Sequence, residues 1–485
     1  MAEGFVGADV DQLRELAKHM SAASQNLGSA ESQLTALVAV SRWQGPDAQQ
    51  FVSHWHSTYR GSITAAARSL EQRSTELARQ ADEQQRTSTN DGGGAGGAGG
   101  TGVTGTAARG SDSASAAAEA RLESYAADNN ADPKAVAKWW AGLTAAEQKE
   151  LRLEHPQLVG SLEGVRYADR DVANRAVLDT GIAAAKASGD TTTLKYLESV
   201  EKSLKGQVDP PYQLISVTSG PPPLAAISVG DLDKAKYASF VIPGMGSNSA
   251  GTPTGLTGAA RDLWQQEHRD AISNGLSKQI AVVAWMNYDS PEVPSVDNKD
   301  LAVLANDSAN LGGSRLEKAL LGYDATLNAQ DGRGSDSSRL SVVGHSYGST
   351  TAAVALTDIR PGVVDSFTTV GSAGVAPTFA GAGSIHVPGG SVYAMQADEK
   401  IPFAAIGTLG SGRESPTSLF YGADVLSADS GSAGGVATSS TTVHDLTTAS
   451  SSDDRGYLSP GTTSQSNVAY VNLGLAAKAQ RPGWW

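Results

Sequence analysis

From residue 212 onward the chain repeats a pattern that leaves little choice of architecture. Short, continuously apolar runs rich in β-formers are separated by segments long enough for helices: QLISVTS, AAISV, YASFVIPG, QIAVVAWMNY, RLSVVGHS, SFTTVGSA and SVYAMQAD, spread over 213–398. A strand with one wet face alternates apolar and polar residues; a strand covered on both faces does not. These runs do not alternate, so a mostly parallel sheet with helices on both faces is expected, an α/β fold. Val468 to Ala479 reads as a closing helix.

Upstream the rhythm is helical. Leu13, Leu16, Ala17, Met20, Leu34 and Leu37 recur at three and four, as do Phe51, Trp55, Tyr59, Ile63, Ala66 and Leu70. Trp43-Gln44-Gly45-Pro46 lies between them, which predicts an antiparallel helical hairpin over 1–90. Residues 91–115, DGGGAGGAGGTGVTGTAARGSDSAS, hold almost no large apolar side chain and read as a flexible linker. A helical subdomain is expected over 116–205, with Asp132-Pro133 opening one helix and Thr144 with Glu147 forming a capping box for the next. Trp139 and Trp140 are expected in its core. The α/β domain takes 206–485, and the Gly, Ser, Ala and Thr-rich stretch 403–442 is expected to form a mobile rim over the pocket.

One apolar run ends in Gly344-His345-Ser346-Tyr347-Gly348 and leads straight into helix formers. A serine at a sharp strand-to-helix turn, fenced by Gly344 and Gly348, has the setting of a nucleophile elbow. The helix N-terminus beneath it adds positive potential where an oxyanion would form. A serine hydroxyl is a weak nucleophile and needs a base and a group to orient that base. In α/β-hydrolases the order is serine, acid, histidine. Of the eight histidines, only His386 and His444 follow the elbow; His345 is its variable position. His444 comes after every suitable acid, in a loop before the last helix, and is taken as the base. Asp398, at the end of SVYAMQAD, is the preferred acid, with Glu399 and Asp365 as alternatives. After the strand YASFVI, Pro243-Gly244-Met245-Gly246 is placed to supply a main-chain donor. The amides of Met245 and Tyr347 then form the expected oxyanion hole, shaped by Gly244 and Gly246.

The hairpin with Trp43 and Gly45 resembles the WXG-motif proteins exported by type VII secretion. That resemblance implies a small helical protein partner and a secreted or cell-surface location reached without a signal peptide. The Tyr-x-x-x-Asp/Glu export signal usual in that family is missing, since Ile63 stands four places after Tyr59. From WWAGLTAAEQKELRLEHPQLVGSLEGV (139–165), through DKAKYASFVIPGMGSN, IAVVAWMNYDSP, LSVVGHSYGS and VGSAGV, to SNVAYVNLG, the chain is similar to an actinobacterial α/β-hydrolase domain family. The similarity implies a serine hydrolase with Ser346, Asp398 and His444 as its triad, and a helical segment that belongs to the catalytic unit. The chain departs from that family after Asp398, where Asp-Pro is usual but Glu399 and Lys400 follow here, and in a longer polar tail after His444.

The totals narrow the rest. Length of 485 residues predicts more than one domain. A net charge of −14 argues against nucleic acid or an anionic membrane as partner. With no cysteine there is neither disulfide nor thiolate chemistry. No metal or cofactor is expected, no apolar run is long enough to cross a membrane, and the chain reads as soluble without a cleaved secretory signal. The expected activity is hydrolysis of a carboxylic ester, with a mild preference for an apolar acyl group because Met245 and Tyr347 flank the site. The competing reading is a secretion-associated interaction protein, cytoplasmic or exported, whose hydrolase domain binds without turnover.

Overall fold

The computed structural model describes scattered helical positions between 14 and 79. It then describes residues 110–485, except 129, 207–208, 293–304, 330–337, 376–380, 399–410, 412, 419–420, 448–452 and 484–485. The chain divides into two compact units, one of residues 1–107 with 409–412 and one of residues 108–408 with 413–485.

In the first unit the described helical residues lie at 14–35 and 60–79. Ser74 donates to the Ala17 carbonyl at 2.7 Å, Ser21 to the Glu71 carboxylate at 3.1 Å, and Arg60 pairs with Glu31. As one partner's number rises the other's falls, so these two stretches run antiparallel. Trp43 and Gly45 lie outside the described residues.

The second unit opens with helices α1 (Gly110–Ala127), α2 (Pro133–Gly142), α3 (Ala145–Glu154), α4 (Pro156–Ser161), α5 (Tyr167–Ser188) and α6 (Thr191–Leu204). Helix α1 starts inside the stretch expected to be a linker, because alanine-rich SASAAAEA favours helix strongly. Asp132 caps α2 with Pro133 in its first turn, and the capping box of Thr144 and Glu147 opens α3. Trp140 is buried with Leu122, Val136, Leu151 and Val159, and Trp139 packs against that cluster.

The sheet follows, as β1 (Tyr212–Thr218), β2 (Leu224–Val229), β3 (Tyr237–Ile242), β4 (Ile280–Met286), β5 (Arg339–His345), β6 (Ser366–Val370), β7 (Val392–Met395) and β8 (Asp424–Val425). Its order is β1-β2-β4-β3-β5-β6-β7-β8. β2 is antiparallel to both neighbours, and β4 through β8 are parallel. Helices α7 (Thr252–Ser273) and α10 (Thr463–Asn472) cover one face; α8 (Asp307–Ala329) and α9 (Tyr347–Asp358) cover the other. Phe240 and Val342 enter one core while Val241 and Val343 enter the other, the alternation a doubly covered sheet imposes on all-apolar strands.

β1 is an edge strand, and its outward main chain is bonded by side chains of α5. Asp171 accepts from the Leu214 amide at 2.6 Å, Asn174 donates to the Leu214 carbonyl at 3.0 Å, and Arg175 donates to the Tyr212 carbonyl at 2.9 Å. The N-terminal amides of α5 lack a cap from their own chain neighbours. The Asp233 carboxylate supplies it, accepting from Tyr167 at 2.9 Å and Ala168 at 2.8 Å.

The described part of the stretch 403–442 carries regular structure. It contributes β8 and a small hairpin, β9 (Gly431–Ala433) with β10 (Val436–Thr438), turned by Gly434 and Gly435 at φ 57° and 84°. The closing helix runs Thr463–Asn472, starting earlier than expected because Thr462 caps it.

Candidate active site

β5 delivers Ser346 to the carboxyl end of the parallel strands. Its φ of 51° and ψ of −124° make it the one non-glycine with positive φ among the described residues. Such a conformation strains an L-residue by about 1–3 kcal/mol and is kept only where the surroundings enforce it. The two fencing glycines are what let those surroundings close in. A Cβ on Gly344 would lie 2.7 Å from Ser349 Cα, and one on Gly348 would lie 2.4 Å from the carbonyl oxygens of Ile242 and Pro243.

His444 reaches this serine from 98 positions along the chain: its Nε2 stands 2.9 Å from Ser346 Oγ. The serine donates when Nε2 is unprotonated, which is the tautomer a general base requires. The loop bearing His444 is held by the segment 455–458. Val443 donates to the Arg455 carbonyl at 3.3 Å, Tyr457 to the Asp445 carbonyl at 3.0 Å and Leu458 to the Leu446 carbonyl at 2.6 Å.

The amides of Met245 and Tyr347 have no hydrogen-bond acceptor among the described residues. The loop carrying Met245 presses on Ser346, since a Cβ at Gly244 would fall 3.2 Å from Ser346 Oγ. The end of β4 shapes that loop. Buried Tyr288 donates to the Pro243 carbonyl at 2.7 Å, Ser290 Oγ accepts from the Ser247 amide at 2.9 Å, and Gly246, at φ 74°, donates to the Pro291 carbonyl at 2.7 Å. Tyr288 and Ser290 were not singled out from the sequence. The one available signal was a polar NYDSP placed directly after a buried strand.

Asp398 stands three residues past β7, at the same end of the sheet as the elbow. Its side chain is exposed and, among the described residues, its carboxylate has no hydrogen-bond partner and does not meet His444. Glu399 lies outside the described residues. Asp365 is at the opposite end, before β6, where it accepts from the Leu340 amide at 2.8 Å and faces Arg339. His386 is likewise remote, before β7, bonded to the Ile359 carbonyl at 2.6 Å.

A cavity of about 320 Å³ adjoins the oxyanion loop, lined by Met245, Ser247, Leu256, His345, Asp445 and Leu446 among others. Tyr347 is not among its walls, contrary to expectation. Its ring is fully buried under the Arg413 guanidinium, 4.8 Å from the centroid, and its hydroxyl donates to the Ala305 carbonyl at 2.8 Å. A larger cavity of about 510 Å³ opens at the other end of the strands around Arg339 and Asp365, where no serine–histidine pair stands. Among the described residues no cluster of three or more His, Asp or Glu could hold a metal, and no helix is long and apolar enough to cross a membrane.

Residues 221–404 match the family model described as alpha/beta hydrolase. With that match, the strand order and the strained serine in place, the fold is settled. It is an α/β-hydrolase fold. Two uncharacterized proteins of Mycobacterium tuberculosis, from strains CDC 1551 / Oshkosh and ATCC 25618 / H37Rv, are each 27% identical over 315 residues, 57% of this chain and 44% of theirs. The chain thus spans less than half the length of these curated relatives. The chain is also similar to two structures of an esterase from Pyrobaculum calidifontis. Both share 14% identity and a TM-score of 0.25, covering 48% and 49% of this chain and 80% and 82% of theirs. A likeness that distant says nothing of substrate.

Proposed function

We propose that the chain is a serine hydrolase that cleaves carboxylic esters through an acyl-enzyme. The observation that carries this reading is the 2.9 Å approach of His444 Nε2 to a strained Ser346, beside two amides with no acceptor among the described residues. Ser346 Oγ attacks the carbonyl carbon as His444 takes its proton, and the amides of Met245 and Tyr347 receive the negative charge that develops on the carbonyl oxygen. His444 returns the proton to the departing alkoxide, and water repeats the sequence on the acyl-enzyme. The orienting carboxylate is assigned to the Asp398-Glu399 pair, with Asp398 the first choice. An acyl group of modest size suits the site better than a long lipid chain, because the adjoining cavity is small and mixes Met245 and Leu256 with Ser247 and Asp445.

A fluorophosphonate probe should label the wild-type protein and leave Ser346→Ala unlabelled, and a p-nitrophenyl ester series should favour short acyl chains. Folded wild-type protein that neither labels nor turns over any member of the series overturns the reading.

A further inference from the structure

The elbow's variable position is occupied by a histidine, and its ring is not idle. His345 is buried, and its Nε2 lies 2.7 Å from the main-chain carbonyl of His444. A carbonyl only accepts, so His345 carries its proton on Nε2 and donates. The two imidazoles lie with centroids 5.0 Å apart. On its other side the His345 ring meets Tyr457 at 6.3 Å. The Tyr457 hydroxyl accepts from the Ala397 amide at 2.9 Å, directly before Asp398, and its ring closes over Gly371.

We propose that His345 is a positioning residue for the hydrolytic reaction, holding the main chain of the general base while its neighbour Ser346 holds that base's side chain. This rests on the Ser346–His444 reading. One dipeptide at the end of β5 thus grips the base at two points, its carbonyl through His345 and its Nε2 through Ser346. The device suits the loop. His444 stands in irregular structure; its neighbours Val443 and Asp445 are bonded to residues 455 and 457, and the His444 carbonyl between them is held by His345. A base displaced by about 1 Å loses on the order of 100-fold in rate, so this added anchor at the carbonyl carries a kinetic effect. Burial and the neighbouring His444 push the His345 imidazole down to about 3, so the ring stays neutral and keeps the same donor across the working range. Tyr457 extends the brace to the end of β7, tying the base's anchor to the segment that leads into Asp398.

The test compares His345→Phe, which keeps a flat ring but has no donor, with His345→Gln, whose amide restores one. With p-nitrophenyl acetate, the phenylalanine variant should lose about 10- to 100-fold in kcat at little-changed KM, and the glutamine variant should recover most of that loss. A purely structural role would instead lower the melting temperature of both variants without this split in kcat. Wild-type kcat in a folded His345→Phe overturns the brace alone; failure of wild-type protein to react with fluorophosphonate removes the hydrolase reading beneath it. Should the phenylalanine variant not fold, imidazole ¹⁵N shifts of the wild-type protein decide: an Nε2–H tautomer at His345 is required, and an Nδ1–H tautomer refutes the proposal.

Discussion

Gly244 offers the sharpest test of how the oxyanion loop meets the nucleophile. Its φ is not positive, so alanine there meets no backbone penalty, and the whole effect is steric. The added methyl would sit 2.7 Å from Ser346 Cβ and 3.2 Å from Ser346 Oγ, about 0.7 Å inside ordinary contact at the first. Neither side yields easily: Ser346 is locked in its strained turn, and the loop is held by Tyr288, Ser290 and Pro291. Relieving the overlap therefore shifts the serine or the Met245 amide by a large fraction of an ångström. Misplacement on that scale costs about 100-fold in rate, equivalent to about 2.7 kcal/mol of transition-state stabilisation. The accompanying loss of stability should be about 1–3 kcal/mol, typical of one excess methyl in a packed site. Kinetics with p-nitrophenyl acetate, the rate of fluorophosphonate labelling and a thermal melt together read both effects. Gly258→Ala is the control, since a Cβ there meets nothing within 4 Å and alanine favours the helix. Gly244→Ala that folds and turns over like wild type refutes the packing argument.

Other substitutions probe the remaining parts. Tyr288→Phe removes the donor to the Pro243 carbonyl and should cost about 10-fold in kcat by loosening the oxyanion loop, measured on the same ester; unchanged kcat would show that Ser290 and Pro291 suffice. Asp398→Asn and Glu399→Gln should be compared by kcat: the one that loses 100-fold or more identifies the orienting carboxylate, and equal mild losses would leave a bare serine–histidine pair. Glu267, buried on α7 between Ser239 and Asn472, is pushed up to about 8 by burial. It holds its proton in the folded protein after the unfolded chain has released its own, so its contribution is complete below pH 4.5 and is lost as pH rises toward 8, by at most about 5 kcal/mol. Glu267→Gln should flatten the fall in melting temperature between pH 5 and pH 8; parallel curves for the two proteins would refute this. If the hairpin assembles with a small helical partner, as the Trp43-Gly45 resemblance implies, Trp43→Ala should abolish that partner's co-purification with the full chain, and undiminished capture would refute the assignment.

The strands were legible because burial on both faces leaves no room for polar alternation, so β1 to β7 stand out as unbroken apolar runs. β8 was not legible. Two residues, Asp424 and Val425, carry no periodicity, and only their pairing with Tyr393 and Ala394 makes them a strand. The elbow could be read because glycine at 344 and 348 is a local steric need of that turn. The approach of His444 was inferred from chain order alone, since no local pattern marks a base that works from a loop. The contacts of His345 and Tyr288 were not legible because they are hydrogen bonds to main-chain carbonyls of distant segments, and a carbonyl has no sequence signature. Tyr347 was expected at the substrate surface but lies buried, because its hydroxyl finds the Ala305 carbonyl and its ring finds Arg413.

The side chains of α5 that occupy the outer margin of β1 also decide where this protein can be cut. A fragment begun at the first strand would leave the Leu214 and Tyr212 main-chain groups bare along an edge strand, an open template for a second molecule to dock strand against strand. A fragment that keeps the sheet should therefore keep the helices before it and begin ahead of α1, near residue 108.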